Sequence, residues 1–407
     1  MRTYRQLFAL AEFRMLFAGQ LLIGCAMTMQ SLALSVLVYA RTGSPFLAAV
    51  AYLGGYVPQA IGVMLFSSVA DRQAPRSLLV GSDALRLVSF AVLAVGALPI
   101  GGVLAVVMIC GLGYGALGGV RYLMLAEMLP TDGYILGRSA LTMAVGGTQI
   151  VGFAVGGALL AALAPTSCMW IATAIAAAAL TIDRFGLQAR DSRAPGRPSI
   201  RASWRVNRAL LSNQRLRWLL AAQWVPNGLI VGAEALYVPY AGTRAAALFI
   251  ASATGMLAGD FIVGRFVPAS LRPRLTLPLY LLLAGPYLAF AARPSLALAT
   301  TIVAVASLGY GGTLGLQQVF ADALDPAQQG QAFSLAAAGQ MSSQGLAAWG
   351  AGALAEPLPV GGAIAAMAGL SILASVVLVR VPHEMSSTVR PRSVLTPTVP
   401  TEGRTAT

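Results

Sequence analysis

Apolar stretches of about 20 residues recur along the whole chain, separated by short polar or basic segments. A helix of this length crosses about 30 Å of hydrocarbon, and it satisfies its backbone hydrogen bonds within the segment. The alternation over about ten residues that is typical of membrane β-strands is missing from the sequence. The pattern therefore predicts an all-α membrane protein with twelve transmembrane helices. We expect these spans near residues 14–39, 46–70, 77–99, 101–126, 138–163, 165–183, 216–240, 245–267, 274–292, 295–318, 331–355 and 357–380.

Charges are few and are unequally distributed between the two predicted sides of the membrane. The chain has 407 residues, of which 57% are hydrophobic and 10% are charged, which is too little charge for the surface of a soluble protein. The net charge is +13, yet on one side the loops hold only Arg41, Arg244 and Arg293. The positive-inside rule therefore predicts a multi-pass protein of the cell membrane with both termini in the cytoplasm. Because this topology accounts for the charge, we do not expect nucleic-acid binding.

A change of composition after Asp183 divides the chain into two apolar halves. Residues 184–215 are basic and contain two prolines, which predicts a cytoplasmic linker with an amphipathic segment at the lipid headgroups. We expect six-helix bundles over 1–183 and 216–381. The Ser/Thr/Pro-rich residues 382–407 predict a disordered cytoplasmic tail.

The two halves are also related in sequence. The string LGYG occurs at Leu112–Gly115 and again at Leu308–Gly311, in the fourth predicted span of each half and at an offset of 196. A shift of 195 pairs Gln149 with Gln344 in the fifth spans. The repeat predicts two pseudo-symmetric bundles related by an axis along the membrane normal, with a substrate bound between them near the midplane.

Short motifs resemble those of the major facilitator superfamily. Residues 67–86 read SSVADRQAPRSLLVGSDALR, where the family's loop motif is Gly-x-x-x-Asp-Arg-x-Gly-Arg-Arg. Residues 13–20 (FRMLFAGQ) and 38–45 (VYARTGSP) are similar to the enterobactin-exporter and macrolide-efflux branch. Residues 152–159 (GFAVGGAL) are similar to the fifth-span motif of the exporters. Together with the twelve spans and the repeat, these motifs identify the chain as a member of that superfamily over residues 1–381.

The resemblance implies a cytoplasmic latch that links the two halves and changes during alternating access. It gives this role to Asp71, Arg72 and Arg76, which match the loop motif. The alternative interpretation is an ordinary basic turn. Many proton-coupled members also carry an arginine early in the fourth span, but here Val107–Cys110 precedes the Gly-x-Gly without one. Proton coupling in this chain would therefore need another residue.

Ionisable residues inside the spans are functional candidates, because a charge at the centre of a transmembrane helix costs about 2.5–3.5 kcal/mol. Asp83 and Arg86 are three residues apart in the third span and can pair on one face, either as part of the gate or as a structural ion pair. Arg121 lies near the cytoplasmic end of the fourth span. It either extends toward the cytoplasm or pairs with an acid of the same gate.

Two acids of the second half are candidates for coupling. Glu234 lies in the seventh span, and the nearest basic residue in the sequence is Arg244. Glu234 is either a site for a proton or a cationic substrate, or a carboxylate of the external vestibule without a role in coupling. Asp260, in the eighth span, either takes part in coupling or pairs locally.

The other polar side chains of the spans are uncharged amides and aromatic residues. A mostly apolar cavity with few polar anchors suits an amphipathic small molecule. For each residue, hydrogen bonding between helices is the alternative interpretation. The candidates for the substrate cavity are Gln20, Gln30, Tyr114, Gln149, Trp224, Asn227, Tyr310, Gln317 and Gln344.

The sequence contains no catalytic or nucleotide-binding motif. It has no phosphate loop, its three cysteines fall inside spans without metal-ligand spacing, and its one histidine, His383, lies in the tail. We therefore expect neither an enzyme nor a bound cofactor or metal.

The leading hypothesis is a monomeric secondary active transporter in the lipid bilayer. It would export a small amphipathic compound (a drug, siderophore or secondary metabolite) by alternating access in exchange for protons. The alternatives are an uncoupled or uptake carrier of the same fold, and a membrane receptor or scaffold that does not transport.

Overall fold

A computed structural model of the chain describes residues 3–70, 74–117, 119–190, 200–325 and 329–387. Every regular element in these ranges is helical. We call α1 to α9 the N-half and α11 to α18 the C-half. The N-half helices are α1 (Tyr4–Ala9), α2 (Ala11–Thr42), α3 (Pro45–Leu53), α4 (Tyr56–Ala70), α5 (Pro75–Ala94), α6 (Ile100–Ala116), α7 (Val120–Met128), α8 (Thr131–Ala162) and α9 (Pro165–Gly186).

The C-half is preceded by one separate helix, α10 (Ile200–Ser212). Three short 3₁₀ segments, Gly242–Ala245, Gly285–Ala292 and Leu308–Gly311, interrupt or extend its spans. Its α-helices are α11 (Gln214–Glu234), α12 (Tyr237–Ala241), α13 (Ala246–Phe266), α14 (Arg272–Ala284), α15 (Leu296–Ser307), α16 (Gly312–Asp322), α17 (Gln329–Leu354) and α18 (Val360–Ser387).

Ten stretches of the described residues are long and apolar enough to cross a membrane. One of them, Gln214–Phe266, is 53 residues long and contains α11, α12 and α13, which are separate helices. The 26-residue α17 is not among the ten, although it packs in the bundle as the other spans do. The arrangement is consistent with the twelve helices expected from the hydropathy pattern.

Local sequence signals explain where the helices begin and end. Ser44 precedes Pro45 and accepts a hydrogen bond from the Leu47 backbone N–H, which caps the start of α3. Gly43, just before it, adopts a left-handed conformation (φ 66°) and closes α2, as glycine commonly does. The turn between the first two spans is therefore set by two adjacent residues.

The same packing order occurs in both halves. The first span of each half, α2 or α11, packs against the fifth and sixth spans, which are α8 and α9 in the N-half and α17 and α18 in the C-half. The second span, α4 or α13, packs against the fourth, α6 or α15. Across the interface, the second span of each half meets the fifth span of the other, since α4 contacts α17 and α13 contacts α8. This reciprocity confirms the pseudo-symmetry.

The contacts between the halves are concentrated at one end. We call the end with the termini and α10 the linker end, and the opposite end, with the turn at Ser44 and the segment Gly242–Ala245, the distal end. The largest apolar core joins residues of both halves toward the distal end, including Leu32, Phe153, Tyr237 and Phe249. The rings of Phe153 and Phe249 stack across the interface with centroids 4.6 Å apart.

Polar contacts also close the distal end. Ser44 donates to the Glu356 carboxylate (2.6 Å), which also accepts from the Phe46 backbone N–H (3.2 Å). At the linker end, by contrast, one apolar cluster belongs to the N-half alone, around Phe13 and Leu125. A second cluster there belongs to α10 and the C-half, and among the described residues Met64 is the one N-half residue that packs on it.

Three elements differ from the sequence-based expectation. Helix α9 continues to Gly186, and α18 continues to Ser387, so the first residues of the expected disordered tail are helical. The amphipathic segment expected in the linker is α10, and its apolar side contacts the protein, because Leu210 is buried with Leu216 and Leu219 of the C-half.

Candidate transport site

A cluster of four buried charges lies near the linker end of the N-half. One terminal nitrogen (Nη2) of Arg121 on α7 is 2.6 Å from Asp183 Oδ2 on α9 and 3.1 Å from Asp83 Oδ2 on α5. The other oxygen of Asp83 is 3.3 Å from the guanidinium of Arg86, which also donates to Ser82 (2.5 Å). Both carboxylates are fully buried, with 0% side-chain exposure. We call Asp83, Arg86, Arg121 and Asp183 the charge cluster.

The charge cluster joins four elements of one half. Arg121 also donates to the Leu16 carbonyl of α2 (3.4 Å), so its side chain bridges α2, α5, α7 and α9. Two acids and two arginines leave the group without net charge, which is what buried ions require. Of the two options for Arg121, the structure has the one in which it pairs with an acid.

Asp183 was missed as a site residue at the sequence level. The hydropathy pattern places it only as the last residue of the sixth span. In the structure it lies under α2, where a Cβ on Gly19 would be 2.8 Å from its carboxyl carbon. The signal was present, since an acid within an apolar span is a functional candidate by the same rule that selected Asp83.

Of the proposed latch, only Arg76 lies in the described part of the chain, because Asp71 and Arg72 fall outside it. The Arg76 guanidinium donates to the backbone carbonyl of Arg184, at the end of α9. Next to this point, Arg190 forms a two-pronged ion pair with Glu12 (2.6 and 2.7 Å). Hydrogen bonding to Glu12 raises the pKa of the Arg190 guanidinium. These contacts bind the end of the sixth span to the start of the third, and the residues that follow it to the start of the first, within the N-half.

The two tyrosines of the LGYG repeat each lie beside charged groups of their own half. Tyr114 is hydrogen-bonded to Ser89, and the guanidinium of Arg86 lies 5.0 Å from its ring centroid. Tyr310, its counterpart, lies near Gln340 and is within electrostatic range of Asp260. The repeat therefore places both hydroxyls in polar surroundings, but only the N-half tyrosine is linked to the charge cluster.

Glu234 lies at the last position of α11, where the helix breaks before α12. Its residue exposure is 7%, and its carboxylate accepts a hydrogen bond from Ser252 on α13. Ser252 in turn is 3.4 Å from the Ser307 hydroxyl on α15. Within the described residues, no basic side chain forms an ion pair with Glu234.

Aromatic residues from both halves surround Glu234. Tyr52 and Tyr56 of the N-half and Tyr237 and Tyr287 of the C-half are within electrostatic range of its carboxylate. The hydroxyls of Tyr237 and Tyr287 are hydrogen-bonded at 2.6 Å. Glu234 is therefore an uncompensated carboxylate at the interface of the halves, close to the apolar core that closes the distal end.

The C-half also contains a cluster of amide side chains between α11 and α17. The Asn227 carbonyl oxygen accepts from Gln340 (3.0 Å) and from Gln344 (3.1 Å). Trp224, one turn earlier on α11, donates to the Ala336 carbonyl (2.8 Å). The structure thus brings together three of the sequence-based cavity candidates on two neighbouring helices.

The remaining candidates are dispersed. Asp260 is half-buried, and within the described part of the chain its Oδ1 has no hydrogen-bond partner. Gln149 and Gln317 are exposed, and Gln20 is half-buried. Gln30 is only 3% exposed, and neither polar atom of its amide has a partner among the described residues.

The halves therefore differ in their buried charge. In the N-half each buried carboxylate meets an arginine, whereas in the C-half Glu234 and Asp260 have no cation in the described structure. A buried carboxylate without a cation can take up a proton or bind a cationic group, because either would remove the cost of an isolated buried charge. Within the described residues, no group of side chains could hold a metal ion.

Two pseudo-symmetric helical bundles are an architecture found in one large class of membrane transporters. The chain belongs to the Major Facilitator Superfamily, whose family model matches residues 16–324. A search of curated proteins gives no significant match.

Solved transporter structures share the fold at low sequence identity. A POT family transporter in complex with 5-aminolevulinic acid superposes with a TM-score of 0.73 at 10% identity, over 92% of this chain and 96% of the other. The human organic anion transporter MFSD10 gives 0.64 at 17% identity, over 90% and 99%. A D-xylose-proton symporter gives 0.66 at 15% identity, over 90% and 96%. At such identities the likeness extends to the fold alone.

Proposed function

We propose that this superfamily member exports a small amphipathic compound in exchange for protons, and that Glu234 is the proton-carrying group. The observation that carries the proposal is a buried carboxylate without a basic partner in the described structure, at a helix break between the halves. Broken helices at the interface of the repeats form the ion and substrate sites of many secondary transporters.

The position of Glu234 gives a mechanism for coupling. In the closed distal end its carboxylate is surrounded by aromatic residues and one serine hydroxyl, so the charged form is poorly solvated. Opening of the distal end would expose the same carboxylate to water, where the charged form is stable. A proton taken up on that side therefore stabilises closure, and its release toward the other side favours the return.

The proposed substrate class rests on the polar and aromatic side chains around the amide cluster of the C-half. Asn227, Gln340 and Gln344 supply a few amide groups, while Trp224 and Tyr310 supply aromatic surface. This combination suits an amphipathic molecule better than a sugar, which needs a dense set of hydrogen-bonding groups. The similarity of residues 13–20 and 38–45 to the enterobactin-exporter and macrolide-efflux branch supports export.

The orientation follows from the arginines. With the linker end in the cytoplasm, as the positive-inside rule favours, the closed distal end would face the outside, as an inward-facing state requires. In that state a cytoplasmic substrate would enter from the linker end and reach the amide cluster.

The experiment uses inverted membrane vesicles and a panel of fluorescent amphipathic dyes. With an acidic vesicle interior, we expect dye accumulation that collapses when the pH gradient is dissipated. Glu234→Gln removes the titratable group and keeps its shape, so accumulation is lost while downhill dye flux continues. Asp325→Asn, which removes an exposed carboxylate at the linker end, is the matched control and keeps full accumulation.

The possible results separate the hypotheses. Accumulation that ignores the gradient would exclude proton exchange and leave an uncoupled carrier. Gradient-driven accumulation by Glu234→Gln would remove this residue from the mechanism. Absence of flux for every dye, in either direction, would favour a receptor or scaffold over a transporter.

A further inference from the structure

A cavity of about 390 Å³ opens at the distal end of the C-half, and all of its lining residues belong to that half. Its lining includes Arg244 from the segment Gly242–Ala245, Arg293 from the turn before α15, and the aromatic side chain of Tyr240. The lining also includes two apolar residues, Leu296 and Val360, at the starts of α15 and α18. None of the residues that line the cavity is acidic.

Both guanidinium groups are available to a ligand. Within the described part of the chain, neither Arg244 nor Arg293 forms a hydrogen bond or an ion pair through its side chain. Arg41, the third arginine of the distal end, differs because it donates to the carbonyls of Gly96 (2.8 Å) and Leu98 (3.5 Å). Glu356 is three residues before the lining residue Pro359, and its carboxylate accepts hydrogen bonds from Ser44 and Phe46 instead.

The walls of the cavity are fixed by contacts between the elements that form it. The Tyr240 hydroxyl donates to the Pro294 carbonyl (2.7 Å), which holds the turn before α15 against α12. At Gly361 a Cβ would overlap the Phe290 carbonyl, so α18 approaches the same turn closely. Arg293 itself is in the left-handed region (φ 52°), which residues other than glycine rarely adopt. These contacts therefore fix the backbone segments that carry the two arginines.

The residues that line the cavity favour an anion with an apolar part. Two unpaired guanidinium groups favour a phosphate-type oxyanion, which accepts paired hydrogen bonds from arginine. The positive ends of α15 and α18 add to the same field. Ligand pockets measure about 300–1,000 Å³, so the cavity holds more than a bare phosphate ion and leaves space against Leu296 and Val360.

We propose that this cavity is a binding site for an organic phosphate, held by Arg244 and Arg293 at the distal face. The ligand is either a soluble phosphate monoester or the phosphate headgroup of an anionic lipid in the adjacent leaflet. The site is separate from Glu234 and the amide cluster, and it does not depend on the proposed proton exchange.

The first arm of the test measures a soluble ligand. Purified full-length protein in a neutral detergent is titrated calorimetrically with phenyl phosphate. Arg244→Gln and Arg293→Gln each weaken binding by about tenfold, the loss expected for one charge-assisted hydrogen bond. Arg41→Gln, which removes an equal charge from the same end, leaves the affinity unchanged.

The second arm measures a lipid ligand. The unfolding midpoint is compared in nanodiscs of phosphatidylcholine with and without phosphatidylglycerol. We expect phosphatidylglycerol to raise the midpoint of the parent and of Arg41→Gln, but not that of the double variant Arg244→Gln/Arg293→Gln. A response in the first arm identifies a soluble phosphate, and a response in the second arm alone identifies a headgroup.

Three results would overturn the proposal. One is the absence of a response in both arms, and another is a response that the double variant retains. The third is an equal loss in Arg41→Gln, which would show that only the total charge of the distal end matters.

Discussion

At the scale of single residues, Arg121 is the centre of the N-half charges. One guanidinium serves two fully buried carboxylates, and Arg86 supplies the second positive charge. Removal of one member of such a group leaves an uncompensated charge in a medium of low dielectric constant. The group is therefore sensitive to net charge more than to the loss of any one hydrogen bond.

This sensitivity to net charge predicts that a second substitution can recover stability lost through a first. Arg121→Met leaves two acids with one arginine, and we expect the free energy of unfolding to fall by about 3–5 kcal/mol. Arg121→Met/Asp183→Asn restores neutrality and should recover part of that loss. Thermal unfolding of the purified variants in detergent measures both changes. If the double variant were less stable than Arg121→Met, hydrogen-bond geometry and not net charge would govern the cluster.

The sequence predicted the candidates at this scale better than their partners. That Arg121 pairs with an acid was one of two stated options, and the lack of a basic residue near Glu234 in the sequence matches the lack of a cation in its described surroundings. The Ser252 contact and the tyrosines around Glu234 could not be foreseen. Apart from Tyr237, which is three residues from Glu234, these groups lie on α13, α3, α4 and the segment Gly285–Ala292, so their positions depend on packing between helices far apart in the chain.

At the scale of elements, glycines set how closely the second and fourth spans of each half approach. A Cβ on Gly115 of α6 would overlap the Gln59 carbonyl of α4 and lie 2.8 Å from the Val63 nitrogen. A Cβ on Gly311, its counterpart in the LGYG repeat, would lie 2.6 Å from the Gly259 carbonyl. The repeated motif thus has the same structural role in both halves, which is close approach of two backbones.

A single methyl group should separate these helices. We expect Gly115→Ala to lower the free energy of unfolding by about 1–3 kcal/mol, the usual cost of overpacking. Gly101→Ala on the same helix is the control, because nothing lies within 4 Å of its Cβ, and it should be neutral or slightly stabilising. Unfolding midpoints compare the two. Equal effects would show that helix propensity, and not the approach to α4, explains the change.

The helices themselves were predictable, and their interruptions were not. Hydropathy together with the need for internal hydrogen bonds places most spans within a few residues of their observed bounds. The break at Ala235–Leu236 and the 3₁₀ segment Leu308–Gly311 lie inside continuous apolar sequence, so hydropathy alone gives no signal for them. The same holds for α10, whose apolar side could have met either lipid or protein, and in the structure meets the C-half.

At the scale of the whole molecule, the two halves form an interface with reciprocal contacts, and that interface is closed at the distal end. Its polar part is the Glu356 carboxylate, and its apolar part is the core around Phe153 and Phe249. Arg76, the described member of the loop that resembles the family's latch, lies at the other end and takes no part in the distal contacts. Alternating access requires that the distal contacts separate without unfolding either half, which small residues in the contact allow.

Gly352 of α17 is the small residue that tests this arrangement. A Cβ at this position would lie 2.7 Å from Phe46 Cα and 3.2 Å from Ala49 Cβ, both on α3 of the other half. Gly352→Val should therefore act as a wedge that shifts the population toward an open distal end. Gly350→Val is the matched control on the same helix, since nothing lies within 4 Å of its Cβ and its loss of flexibility is the same.

Thiol accessibility measures that shift. In a background without Cys25, Cys110 and Cys168, a cysteine at position 348 replaces a fully buried alanine that packs on Ala49 and Leu53. Gly352→Val should increase its labelling by a membrane-impermeant maleimide several-fold, because opening exposes the apolar contact to water, whereas Gly350→Val should not. Equal labelling in the two variants would mean that α3 and α17 do not form the distal gate, and that the closed end of the molecule is held elsewhere along the interface.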